Sequence, residues 1–226
     1  MRCCRHLSLL TCMLLAACGI VDYQKAPVGR FDGSLLVMWV GEGGSQGDGR
    51  FAFVPSRTRP LTFHRDKSGA TVTSIQPEMM YTDGGSIPKA GQLFNGFSPW
   101  GYAPAYMVHD WLFVARHCLT DGAPTNEEQK VGAMDFQESA EIIAEAIKTL
   151  IASGKVKNDD VAPRVISGVV AGPFAHDRWV VKGACKDDRV SPEHRQEIDE
   201  AFARQAGQRA LRKGRAAATI VAEISF

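Results

Sequence analysis

The chain has 226 residues, 45% of them hydrophobic and 23% charged, with a formal net charge of +1 and six cysteines. At about 150 residues per domain this is one to two domains, long enough for an ordinary core. The near-neutral balance lacks the basic excess of a nucleic-acid binder, the hydrophobic content excludes a disordered chain, and the cysteines are too dilute for a disulfide-built scaffold.

The first segment reads as an address. Arg2 and Arg5 precede an almost wholly apolar stretch, residues 7–15. That stretch is too short to cross a bilayer core of about 30 Å, and it has the order of a secretory signal. It closes on Leu15-Ala16-Ala17-Cys18, which resembles the lipobox of bacterial lipoproteins. The resemblance implies cleavage after residue 17 and acylation of Cys18. With glycine rather than aspartate at position 19, it also implies the periplasmic face of an outer membrane. More than one acyl chain gives stable anchoring, so a membrane is the expected partner through Cys18 and no nucleic acid is expected. Removing Arg2 and Arg5 with the signal turns the charge slightly acidic.

The mature chain divides into a tether (residues 18–33), a core domain (34–182) and a C-terminal helix with a possible strand (183–226). Residues 34–40 (SLLVMWV) and 50–54 (RFAFV) are short apolar runs of the kind strands use. The glycine-rich residues 41–49 between them lack the G-x-G-x-x-G spacing and the lysine of a phosphate loop, so they read as a hairpin loop. Residues 61–65 and 71–75 suggest a second hairpin around Lys67-Ser68-Gly69.

The period then changes. Met107, Val108, Trp111, Leu112 and Ala115 place a helix over residues 103–118, and Ile143, Ala146, Ile147, Leu150 and Ile151 place another over 134–152. Residues 163–170 suggest a shorter helix. Ser191-Pro192 opens a further helix, expected to run towards Gly214 with basic residues in its last turns. The alternation of Ile220, Ala222, Ile224 and Phe226 predicts a final strand. The expected class is α+β: a small antiparallel sheet from the first half packed with helices from the second.

Two clusters could carry chemistry: Thr82-Asp83-Gly84-Gly85-Ser86-Ile87-Pro88, and His109-Asp110-Trp111-Leu112-Phe113 on the first helix. Together with Tyr102-Ala103-Pro104-Ala105 and Asp135 they resemble a phage and bacterial family catalogued as domain of unknown function 1353, over about residues 61–172. Phe113 stands where that family usually has tyrosine. The resemblance brings no established activity.

Neighbours on a helix point about 100° apart, so Asp110 is poorly placed to orient the His109 ring but can line the same cleft. Asp135, on a helix folding back, could instead accept from one ring nitrogen while the other acts as base. Asp83 and Asp110 could hold a hard cation such as calcium, which takes oxygen ligands. This arrangement is similar to secreted phospholipase A2, where a helical histidine-aspartate pair activates water beside calcium. The calcium loop and disulfide framework of that family do not match here.

The expectation is a lipid-anchored envelope protein, a metal-assisted hydrolase of an envelope or lipid ester. The alternative is a non-enzymatic envelope or phage-derived interaction module, in which His109 and Asp110 form a structural hydrogen-bond network. Ser86 lacks the G-x-S-x-G setting of a nucleophile. His176-Asp177 reads as a surface or loop pair, and Glu138, Glu141 and Glu145 read as a solvated helix face. Arg204, Arg209, Arg212, Lys213 and Arg215 read as a solvated helix end. Cys118 and Cys185, the cysteines left after the signal and Cys18, form an even pair that invites a disulfide in an oxidising compartment, the alternative being two separate buried thiols.

Overall fold

The computed structural model describes residues 21–41, 49–82, 100–157, 162–205 and 218–226. The expected leader, Cys18, Asp83 and most of the two glycine-rich segments lie outside these residues. The fold is α+β, with two antiparallel sheets mainly from the first half and helices mostly from the second.

The first sheet runs β1 (Arg30–Asp32), β4 (Thr62–His64), β5 (Ser74–Ile75). The β4–β5 pair is the expected second hairpin. Strand β1 was expected to be tether, but Phe31 pairs opposite Phe63 and is buried beside it. One buried aromatic in a polar stretch leaves too short a pattern to read from sequence. Gly33 then turns the chain at φ 81°, where any Cβ would strike the Pro60 carbonyl.

The second sheet has the order β6 (Met80–Thr82), β3 (Arg50–Pro55), β2 (Ser34–Val40), β7 (Thr219–Ser225). Strand β2 is apolar along its whole length because both faces are covered. Leu35 and Val37 join the main core, whereas Leu36, Met38 and Val40 join a smaller core with Ile198 and Ala201. The C-terminal segment is therefore no appendage. Strand β7 pairs with β2, and the Phe226 N–H donates to the Gly33 carbonyl at 2.9 Å.

The helices are α1 (Ala103–Thr120), α2 (Asn126–Lys130), α3 (Phe136–Ala152), α4 (Ala162–Val170), α5 (Pro173–Trp179), α6 (Cys185–Asp188) and α7 (Pro192–Gln205). Helices α1 and α3 pack on each other, burying Met107, Trp111, Ile143 and Ile147 in the main core. Helix α7 opens with Ser191 accepting from the His194 N–H at 3.2 Å, and its expected end near Gly214 lies outside the described residues. Among the described residues no helix is long and apolar enough to cross a membrane.

One polar expectation is overturned. The acidic stripe of α3 is no solvated face: Glu145 is buried and takes both Nε and Nη2 of Arg65 at 2.8 Å. Glu138 binds the same guanidinium at 2.5 Å, and Glu141 binds Lys67. Acidic spacing along a helix cannot reveal a cation contributed from a distant strand end. His176 and Asp177 lie in helix α5 rather than a loop, with Asp177 on the surface as expected and the half-buried His176 ring edge-on to Phe136.

Candidate active site

Helix α1 turns one stripe to the core and another to a cleft. Tyr106, His109, Asp110, Phe113, Val114 and His117, spaced three and four apart, form the cleft stripe. The cleft has a volume of about 840 Å³ and also takes lining from the β3–β6 edge and from α4, α5 and α6. Phe51, Met80, Ile143, Ile166 and Val170 make much of this wall apolar.

His109 sits at the centre of the stripe. Its Nδ1 lies 3.2 Å from Asp110 Oδ1, and its side chain is 6% exposed against 35% for Asp110. Adjacent positions thus make the pairing that helix geometry disfavours, because the short aspartate side chain closes the angular gap. A carboxylate only accepts, so Nδ1 must carry the proton of a neutral ring and Nε2 the lone pair. That Nε2 is buried and has no hydrogen-bond partner among the described residues. The ring also packs on Phe113 at 5.1 Å between centroids.

Asp135 does not take the orienting role expected of it. It is the N-cap of α3, where its Oδ1 accepts from the Glu138 N–H at 2.8 Å, and it does not line the cleft. An extended aspartate just before a helix satisfies a backbone donor that would otherwise lack a partner. Of the expected calcium ligands, Asp110 faces His109 and Asp83 lies outside the described residues. No group of three or more metal-binding side chains converges among the described residues.

Tyr106, one turn before His109, was not singled out in the sequence. Its hydroxyl is buried without a hydrogen-bond partner among the described residues. Burial first, then Tyr102 and Asp110, push its pKa well above the ordinary phenol value, so it remains a neutral O–H donor.

His117 closes the far end of the stripe and was also missed. Its Nδ1 meets Asp188 Oδ2 at 2.5 Å and its Nε2 meets the Arg178 carbonyl at 2.7 Å. Two acceptors demand two donors, and the bond to Asp188 raises its pKa although burial opposes it. Beside it Cys118 and Cys185 are disulfide-bonded. Asp121 accepts from the Gly183 N–H at 2.7 Å and the Cys185 N–H at 3.1 Å, contacts that hold its carboxyl below its usual range. These contacts bind α6, and with it one cleft wall, to the end of α1. The signal was present in the sequence: Tyr106 and His117 continue the stripe of His109 at helical spacing.

Comparison of the chain with protein-family models, curated proteins and solved structures gives no match. The functional reading therefore rests on the residues of the cleft.

Proposed function

We propose that the protein is a lipid-anchored envelope hydrolase of esters with an apolar acyl part, with His109 as general base oriented by Asp110. The observation that carries this is the asymmetry of the His109 ring: Nδ1 faces a carboxylate while Nε2, in the wall of a large apolar-lined cleft, is buried and has no hydrogen-bond partner among the described residues. His109 Nε2 would take a proton from water as the water oxygen bonds to the ester carbonyl carbon. The carbon–alkoxy bond then breaks, and the proton passes from Nε2 to the departing alcohol, leaving the carboxylic acid. The neutral Tyr106 hydroxyl is a donor suited to the negative charge that develops on the carbonyl oxygen. Calcium at Asp110 and Asp83 would add charge stabilisation there, but no step above is routed through it. Residence on the periplasmic face of an outer membrane, through acylated Cys18, belongs to the same proposal.

The near-complete burial of His109 and its packing on Phe113 favour a second reading, a structural network in a non-enzymatic interaction module. One experiment separates the two. The full chain and its His109→Gln and Asp110→Asn variants are assayed on nitrophenyl esters of short and long acyl chains, with and without chelator, alongside thermal unfolding. The enzyme reading expects His109→Gln to lower kcat/KM by roughly 10²–10⁴-fold, with Asp110→Asn intermediate and melting nearly unchanged. An inactive parent, equal activity in the variants, or unfolding of both variants overturns it. Loss with chelator would add calcium to the site.

A further inference from the structure

The outer rim of the cleft is apolar where a water-facing rim should be polar. Val165 and Val169 on α4 and Phe174 on α5 line the cleft and are 44%, 59% and 77% exposed. Helix α4 buries Ile166 and Ser167, yet its outer side repeats valine instead of turning polar. Exposed apolar side chains clustered on adjacent helices mark a surface that meets something other than water.

The start of the chain points to the occupant. The Tyr23–Lys25 turn packs against α3 and α4. Lys148 on α3 donates to the carbonyls of Gln24 and Ala26 at 2.8 and 2.6 Å. The Gln24 side-chain oxygen, in the orientation its neighbours require, accepts from Arg164 of α4 at 2.9 Å. Only five peptide steps separate Cys18 from Tyr23, a reach of at most about 18 Å. The long tether expected over residues 18–33 is thus a short leash that enters the fold beside α4. We infer that the Val165–Val169–Phe174 rim docks on the lipid bilayer surface, so that the cleft opens onto the membrane and takes its ester substrate from the lipid. This rests on the hydrolase reading for its substrate and on Cys18 for its leash, whereas the docking itself depends on the rim. Of the exposed cations in this stretch Arg164 donates to the Gln24 side chain, and Arg178, Lys182 and Lys186 stand among exposed Asp177 and Asp187, so apolar insertion carries the larger part of the contact.

The test uses the full chain carrying Cys18→Ser, so that no acyl chain contributes, and the same chain with Val169→Glu and Phe174→Glu added. Each is mixed with vesicles of phosphatidylethanolamine and phosphatidylglycerol, and amide hydrogen exchange is followed across the molecule. Docking slows exchange over residues 163–176 but not over α7, little affected by salt. The paired glutamates abolish that protection and lower vesicle hydrolysis roughly tenfold or more beyond any change in hydrolysis of a soluble short-chain ester, while the melting temperature persists. Unchanged exchange over 163–176, protection confined to another face, or the same protection from concentrated protein without vesicles, which signals a second copy, overturns the proposal. If the hydrolase reading alone is wrong, neither ester is cleaved but the vesicle-dependent protection remains.

Discussion

His117 donates from both ring nitrogens, to Asp188 and to the Arg178 carbonyl, and so is held as an imidazolium with a raised pKa. A group that binds its proton more tightly when folded stabilises the fold fully below its unfolded value. That value is 6.5 here, and the stabilisation is lost as pH climbs through the raised folded value. Stability measured by urea titration should therefore fall on the alkaline side of about pH 6.5. Asp188→Asn should flatten that dependence and cost about 1.5–3 kcal/mol at pH 6, where the charged bond is fully formed. An unchanged pH slope in the variant would mean that Asp188 does not hold the proton. Because α6 carries Asp187 and Asp188 into the cleft wall, the same titration bears on the shape of the site.

At the scale of elements, α3 is fixed to the first sheet by an ion cluster rather than by its apolar stripe alone. Arg65 follows β4, and its side chain is wholly buried against Glu145 and Glu138. Burial works against its charge, but the two carboxylates outweigh it and hold the guanidinium above its ordinary pKa. Arg65→Leu would leave Glu145 as a buried charge without its cation and should cost about 3–5 kcal/mol. Arg65→Leu with Glu145→Leu should recover much of that loss in denaturant unfolding, because an apolar pair replaces a desolvated ionic one. This cluster also marks the limit of sequence reading. The helices α1 and α3 and strands β2, β3 and β7 were legible because each bears either a periodic apolar pattern or a short continuous apolar run and has ends at or near those expected. Glu145 was misread, since its partner lies 80 positions away and periodicity records only which face is apolar. His109 and Asp110 were legible as a pair of residue types, but their mutual bond was not, and Asp135 was assigned a reach that its capping role removes. Tyr106 and His117 could have been found by extending the His109 stripe in both directions.

At the scale of the molecule, the Cys118–Cys185 disulfide is a long-range covalent constraint, with a sequence separation of 67. Closing a loop of that length in the unfolded chain is worth about 4 kcal/mol if the cost is entropic. Cys118→Ala with Cys185→Ala should lower unfolding stability by that order, and reduction of the parent should have a comparable effect. A loss well under 1 kcal/mol would mean that the bonds of His117 to Asp188 and of Asp121 to the Cys185 N–H already hold α6 in place. The bond also ties α6, which carries Asp187 and Asp188 in the cleft wall, to α1, so its removal should affect hydrolysis of bulky esters more than short ones. Residues 183–226 belong to one structure with the rest because Val190, Ile198, Ala201 and Ala218 build the smaller core with β2 and β3, and β7 pairs with β2.

The pairing of β2 with β7 has a consequence in time as well as in space. Strand β2 spans residues 34–40 and lies at the centre of its sheet, yet one of its two neighbours is made of residues 219–225. A chain synthesised from its N-terminus can form the β2–β3 hairpin early, but one edge of β2 stays open until almost 180 further residues exist. Closure of that sheet is then a late, long-range event of the kind that slows folding, and until it happens the apolar run Ser34–Val40 is exposed to other chains. The last strand to be made is the one that seals the first strand of its sheet.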